Sequence, residues 1–251
     1  TTRSNAQINA KVLKKVYHTE DDPTSLQLGY ADLVLMHAPA NVFSMFLGET
    51  IGGSYVLSEE CQKKNLDTRG CREDTWIGLS ELVQEGVIRD AGVSNFNIRH
   101  MQELEQLEDE EVPIAKIAAN QIKFNPWSQP AQQGIYKHCK DNGIAVMAYG
   151  TMGTAFQKKQ VLEQEKLHTI AKQVSARYGK KLSVYDVLSR WALQKGAVVI
   201  PGTSKPKHMQ ANLAVYNIEL TGEEMESLDN CASEPEAENF MDGFNVAEFK
   251  F

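Results

Sequence analysis

The sequence predicts a parallel α/β fold of the (β/α)8 TIM-barrel type. Three observations predict it. Five short apolar runs each end in a polar or aromatic cluster, helix-patterned sequence separates one run from the next, and 251 residues is about the length of one such barrel. The runs are 31–36 before His37, 87–93 before Ser94-Asn95, 116–119 before Asn120-Gln121, 144–148 before Tyr149, and 197–200 before Pro201–Ser204. A buried parallel strand reads as a near-continuous apolar run, and strands alternating with helices imply βαβ units. Polar side chains at the C-terminal ends of such strands converge on one face, which in a barrel carries the active site.

In chain order, the opening TTRSNAQINAKVLKKVY reads as the end of a strand at Thr1–Arg3 and then a helix over 7–17, broken at Asp21-Asp22-Pro23. Strand 31–36 leads into a long connection, 38–71, of a length that usually marks a functional or a mobile segment. A helix is expected over 72–85, stopped by Gly86. Asn97 suits the cap of a helix over 98–108, and Pro130 the start of one over 130–141, ending at Gly143. Ser183-x-x-Asp186 and Thr221-x-x-Glu224 have the form of capping boxes, and Trp191 falls on the apolar face of the helix that the first box opens. The acidic tail 232–251 carries Phe240, Phe244, Phe249 and Phe251 and is expected to pack back onto the body. Residues 1–251 therefore read as one barrel domain without a linker, with a long substrate-side loop at 38–71. Five strands and a stump fall short of eight, so the barrel is expected to be incomplete at its N-terminal side.

Composition narrows the function. Hydrophobic residues make up 42% of the chain, charged residues 24%, and the net charge is −7. An acidic balance argues against nucleic acid or an anionic membrane as the main partner. No run approaches the length of a membrane span, and no secretory signal opens the chain. The four cysteines, Cys61, Cys71, Cys139 and Cys231, are expected as separate reduced thiols of a cytoplasmic protein, with a local Cys61–Cys71 bridge open under oxidation.

Each strand-end cluster supports two readings. His37 suits a hydrogen-bond donor or proton relay at a substrate oxygen, or a structural histidine. His18, His100, His138 and His168 read as surface residues. Ser94-Asn95 and Asn120-Gln121 carry the donors and acceptors that a carboxamide needs, although Asn95 also suits a plain helix cap. Tyr149 offers an aromatic face to a flat ring, or simply packs; Gly150 and Gly153 allow close backbone approach. In VIPGTSKP (199–206), Thr203 or Ser204 can cap the following helix. The N–H groups there, with Lys205, Lys207 and His208, form either an anion site or an ordinary helix start among solvated lysines.

Read together, GYADLVLMHAP (29–39), EGVIRDAGVSNF (85–96), Ala119–Gln121 with Asn125-Pro126, AYGTMG (148–153) and WALQKGAVVIPGTSKPKHMQAN (191–212) make the chain resemble the aldo-keto reductase family over residues 1–230. The resemblance implies a (β/α)8 barrel that reduces aldehydes and ketones with NADPH. His37 falls on the substrate-orienting histidine, and Ser94, Asn95 and Gln121 fall on the residues holding the nicotinamide carboxamide. Tyr149 falls on the aromatic that stacks on the nicotinamide ring, and Gly150, Met152 and Thr154 on the pyrophosphate loop. Thr203, Ser204, Lys205, His208 and Asn212 fall on the adenosine and 2′-phosphate pocket, and Trp127 on the substrate pocket. The family's acid is a tyrosine tuned by a lysine and an aspartate. The tyrosine and aspartate belong to an earlier strand that this sequence does not contain; Arg3 stands where the lysine is expected. Gly202 and His208 replace a lysine and an arginine that many members use at the cofactor, yet the remaining lysines favour NADPH over NADH. The expectation is an NADPH-dependent carbonyl reductase acting on a small substrate. The alternative is a catalytically silent nicotinamide-nucleotide-binding protein of the same fold.

Overall fold

The computed structural model describes residues 30–39, 59–153 and 163–233. Expectations for Thr1–Arg3, helix 7–17, the middle of the 38–71 connection, Thr154 and the Phe-bearing tail lie outside them. Five strands are present in this range: β1 (Ala31–Met36), β2 (Ile88–Ser94), β3 (Ile117–Lys123), β4 (Ala145–Tyr149) and β5 (Val198–Val199). They are hydrogen-bonded neighbours in chain order. The helices are α1 (Glu59–Lys63), α2 (Thr68–Gln84), α3 (Ile98–Glu105), α4 (Gln129–Asp141), α5 (Glu165–Tyr178), α6 (Val184–Gln194), α7 (Pro206–Ala214) and α8 (Gly222–Asp229). No described helix is long and apolar enough to cross a membrane. The chain divides into two compact units near Asn120, inside β3.

In the first unit, β1 pairs parallel to β2 with Leu35 opposite Gly92 and Met36 opposite Val93. A Cβ on Gly92 would sit 2.6 Å from Leu35 Cδ2 and 2.7 Å from the Ala119 carbonyl oxygen, so only glycine fits between these neighbours. Trp76, Leu79 and Leu82 of α2 are buried, as are Ile88, Val93, Phe96, Met101 and Leu104. β1 stands at one end of the described strand order and is partly buried along most of its length.

Helix α2 starts four residues before the expected 72, because Asp67 accepts a hydrogen bond from the Gly70 amide and caps it there. The 38–71 connection thus already contains α1 and the first turn of α2. These two helices are joined by a Cys61–Cys71 disulfide, the local bridge that the sequence left open, where separate thiols were expected; Cys139 and Cys231 are buried and take no part in a disulfide. Asn97 caps α3 through the His100 amide at 2.9 Å, and α3 ends at Glu105, short of the expected 108. His100, expected at the surface, is fully buried, with its ring edge-on to Phe96 at 5.8 Å.

In the second unit, a row of stacked rings forms the centre: Phe124 lies 5.2 Å from Tyr136 and 5.1 Å from Trp191. Trp191 is buried as expected, and its Nε1 donates to Asp229 at 2.8 Å. Both capping boxes form, Ser183 with Asp186 and Thr221 with Glu224. Glu224 also pairs with Arg177 at 2.7 Å and so ties α8 to α5. β5 is two residues long, shorter than the expected run 197–200, and Val198 is 48% exposed.

Candidate active site

The C-terminal ends of the strands carry the polar residues, and the register decides which of them meet. In the first unit, Met36 is level with Val93, so His37 and Ser94 leave their strands side by side. The chain then turns at Asn95, a non-glycine residue at φ +60°, a conformation that asparagine tolerates better than most. The Asn95 side-chain amide donates to the His37 carbonyl oxygen at 3.1 Å and to Ser94 Oγ at 3.1 Å. Ser94 and Asn95 are buried while His37 is exposed. The result is a hydrogen-bonded polar corner beside an exposed histidine. The capping role weighed for Asn95 falls to Asn97 instead.

Asn120 and Gln121 are not at a strand end. β3 runs on to Lys123, because Ile122 and Phe124 continue the buried apolar pattern past the two amides. Asn120 is fully buried and donates to the Phe96 carbonyl at 2.9 Å, which holds the segment after β2 in place. Gln121, half-buried, follows it within the strand.

In the second unit, Ala148 is level with Val199, and the Ile200 amide donates to the Ala148 carbonyl at 3.4 Å. Tyr149 and the Pro201–Ser204 segment therefore emerge next to each other. The Tyr149 carbonyl accepts from the Phe124 amide at 3.0 Å, and the Gly150 carbonyl from Asn125 Nδ2 at 2.9 Å. Gly150, at φ +61°, opens a turn closed by the Gly153 amide at 3.0 Å, with Met152 within it. Trp127, 4% exposed, donates from its backbone amide to Asn125 Oδ1 at 3.1 Å.

Beyond β5, neither Thr203 nor Ser204 caps the next helix. Lys205 holds the N-cap position of α7, with Pro206 at its start, and makes no side-chain cap hydrogen bond; the His208 amide donates to the Lys205 carbonyl at 2.9 Å. Thr203 Oγ1 is used one step earlier, accepting from the Lys205 amide at 3.2 Å and lying 3.4 Å from His208 Nδ1. Ser204, Lys205, Lys207 and His208 are exposed, with Asn212 half-buried one turn on. An uncapped helix N-terminus beside two lysines is electrostatically suited to a phosphate. Arg3 and Thr154 lie outside the described residues.

Two residues carry contacts that the sequence did not assign, although Asn125 stands in one of the matching motifs. Asn125 fastens the turn after β4, and nothing in a lone Asn-Pro pair reveals that partner. Arg72 is buried on α2 in line with Trp76 and Leu79. A cation on an otherwise apolar helical stripe was the available signal.

Comparison with known proteins extends this picture. The model of the Aldo/keto reductase family matches residues 21–233. The chain is similar to glyoxal reductase of Bacillus subtilis, 31% identical over 81% of this chain and 58% of that protein. It is similar to an NADPH-dependent alpha-keto amide reductase of Saccharomyces cerevisiae, 26% identical over 82% of this chain and 57% of the relative. The chain thus spans under two thirds of the length of these relatives. Among solved structures, an aldose reductase of Giardia lamblia superposes with a TM-score of 0.65 at 23% identity, over 91% of this chain and 80% of that one. That likeness supports the TIM-barrel fold.

Proposed function

Because the chain belongs to the aldo/keto reductase family, we propose that the protein reduces an aldehyde or ketone to an alcohol, with NADPH as hydride donor. The observation that carries this reading is the fixed corner at the ends of β1 and β2, where Asn95 ties Ser94 to the backbone of an exposed His37. Carbonyl reduction needs such a group, since negative charge develops on the oxygen as the hydride arrives.

The residues present fit a nicotinamide dinucleotide phosphate. Ser94, Asn95 and Gln121 supply hydroxyl and amide groups with the donors and acceptors that a carboxamide requires. Tyr149, held through its carbonyl by Phe124, provides an aromatic face at a strand end. Gly150 and Met152, followed by Thr154, line the turn suited to a pyrophosphate. The uncapped N-terminus of α7, with Thr203, Ser204, Lys205, His208 and Asn212, suits the adenosine end and its 2′-phosphate. Lys205 and Lys207 favour NADPH over NADH, and the name of the yeast relative carries the same cofactor. When bound, the dinucleotide supplies the hydride. His37 orients the carbonyl oxygen, Arg3 is the candidate for a cation near it, and Trp127 bounds the substrate side. In the family resemblance the proton donor is a tyrosine, and no tyrosine of this sequence is assigned that part. The substrate is a small carbonyl compound, and the protein is read as cytoplasmic, a compartment in which the Cys61–Cys71 bridge forms only under oxidation.

Titration with NADPH and NADH by fluorescence, followed by NADPH oxidation with a panel of aldehydes and ketones, tests the proposal. Binding of NADPH with turnover of at least one carbonyl compound is expected. Binding without turnover would favour a silent nucleotide-binding protein, and binding of neither nucleotide would overturn both readings.

A further inference from the structure

The segment leaving β1 is gripped twice from inside the first unit. Asn95 Nδ2 donates to the His37 carbonyl at 3.1 Å. Two residues on, Arg72 Nη1 donates to the Pro39 carbonyl at 2.8 Å, within the buried interior. The second terminal nitrogen of Arg72 pairs with Glu103 of α3, and its Nε has no partner among the described residues. The Arg72 side chain is 1% exposed. Between the two grips lies Ala38, and the chain passes from an exposed His37 to a buried Pro39.

Stability alone is a poor explanation for this arrangement. Burying a guanidinium carries a large desolvation cost, and an apolar pair of similar volume is often as stable or more so. What an apolar side chain cannot do is reach a carboxylate on one helix and a backbone carbonyl thirty-three residues away with one rigid fork. The carbonyl it reaches belongs to the segment that carries His37.

We propose that Arg72, braced by Glu103, is a positioning residue that fixes the His37–Pro39 segment and thereby the angle at which the His37 imidazole meets the substrate oxygen. This inference rests on the role proposed above for His37. Arg72 touches neither substrate nor cofactor; it acts through the Pro39 carbonyl. Lysine keeps the charge but not the fork, so Arg72→Lys restores only part of the function.

The test uses the whole protein with NADPH and 4-nitrobenzaldehyde, and compares Arg72→Met, Arg72→Lys and Glu103→Gln with the parent. Arg72→Met is expected to lower kcat/KM ten- to a hundredfold, mainly through kcat, with NADPH affinity unchanged within twofold. Arg72→Lys and Glu103→Gln are expected to fall between the two, and they keep the test open should Arg72→Met not fold. In a His37→Ala background, Arg72→Met is expected to add less than twofold, because both changes remove one function. A loss that multiplies in full would mean a general structural effect and would overturn the proposal. The His37 ring resonance, followed by NMR in selectively labelled protein, reads the grip without turnover. It is expected to shift or broaden in Arg72→Met, and an unchanged resonance in a folded variant would overturn the grip itself. A His37→Ala protein that turns over like the parent would overturn the reading of His37, and the catalytic consequence of Arg72 with it, even where the resonance moves.

Discussion

The Asn95 side-chain amide donates to the His37 carbonyl oxygen over 3.1 Å, while the Asn95 backbone sits at φ +60°. One residue both turns the chain after β2 and locks the neighbouring strand end. Replacement by alanine removes the amide and strains the backbone, whereas glycine removes only the amide. Asn95→Ala is expected to cost about 2–3 kcal/mol and Asn95→Gly about 1 kcal/mol less, from the left-handed penalty and one lost hydrogen bond. Urea unfolding midpoints check the order, and equal midpoints would remove backbone strain from the account.

Gly92 offers a sharper steric test. A methyl there would meet the Ala119 carbonyl at 2.7 Å, and that carbonyl is backbone that cannot rotate away. Gly92→Ala is expected to cost about 1–3 kcal/mol through forced separation of strands. Gly202→Ala, with nothing within 4 Å of the added carbon, is expected to stay within about 0.5 kcal/mol. Thermal denaturation of both variants measures the contrast.

The Glu224–Arg177 pair sets a pH dependence. Burial by itself raises the Glu224 carboxyl, but hydrogen bonds from Arg177 and from Thr221, with the Arg177 charge, outweigh it and hold the group below its ordinary 4.5. A carboxyl depressed in the folded state adds stability above its unfolded value, and that contribution disappears as pH falls through the folded value. Glu224→Gln is therefore expected to be less stable than the parent by about 1–2 kcal/mol at neutral pH. The two stability curves should converge below about pH 4. A constant gap across that range would show that the charge of Glu224 is not involved.

The Cys61–Cys71 bridge closes a short loop between α1 and α2, with a sequence separation of 10. Reduction is expected to cost about 2–3 kcal/mol, most of it by freeing the unfolded chain. Melting with and without a phosphine reductant, against a Cys61→Ser/Cys71→Ser control that ignores the reductant, measures this.

Tyr149 is expected to act on affinity rather than on folding. Loss of a stacked ring is worth about 0.5–1.5 kcal/mol, so Tyr149→Ala should raise the NADPH Kd roughly 2- to 12-fold while Tyr149→Phe leaves it near the parent value. Fluorescence titration of the two variants decides between stacking and plain packing.

Much of the fold is legible in sequence because its signals are local. An apolar run before a polar cluster marks a strand end wherever the rest of the chain goes, and β1 runs over the expected 31–36. The pairs Ser183–Asp186 and Thr221–Glu224 close over three residues, so the helix starts they mark are written in four letters. The same logic fails where a residue has two compatible fates. Asn120 reads as a polar stop, yet the strand passes through it, because a buried asparagine is tolerated once its amide reaches Phe96. His100 reads as a surface residue until Phe96 covers it. Thr203 and Ser204 both look like helix caps, and the cap position falls to Lys205.

The sequence by itself determined the alternation of strands and helices, the strand-end placement of His37, Ser94 and Tyr149, and the family to which those motifs point. Only the tertiary structure decided that Asn95 reaches the His37 carbonyl, that Arg72 lies buried against Pro39, and that Cys61 is joined to Cys71. Short-range preferences act through neighbours along the chain and leave a readable pattern. A hydrogen bond across fifty-eight residues, as from Asn95 to His37, is fixed by strand register and packing, which no local pattern encodes.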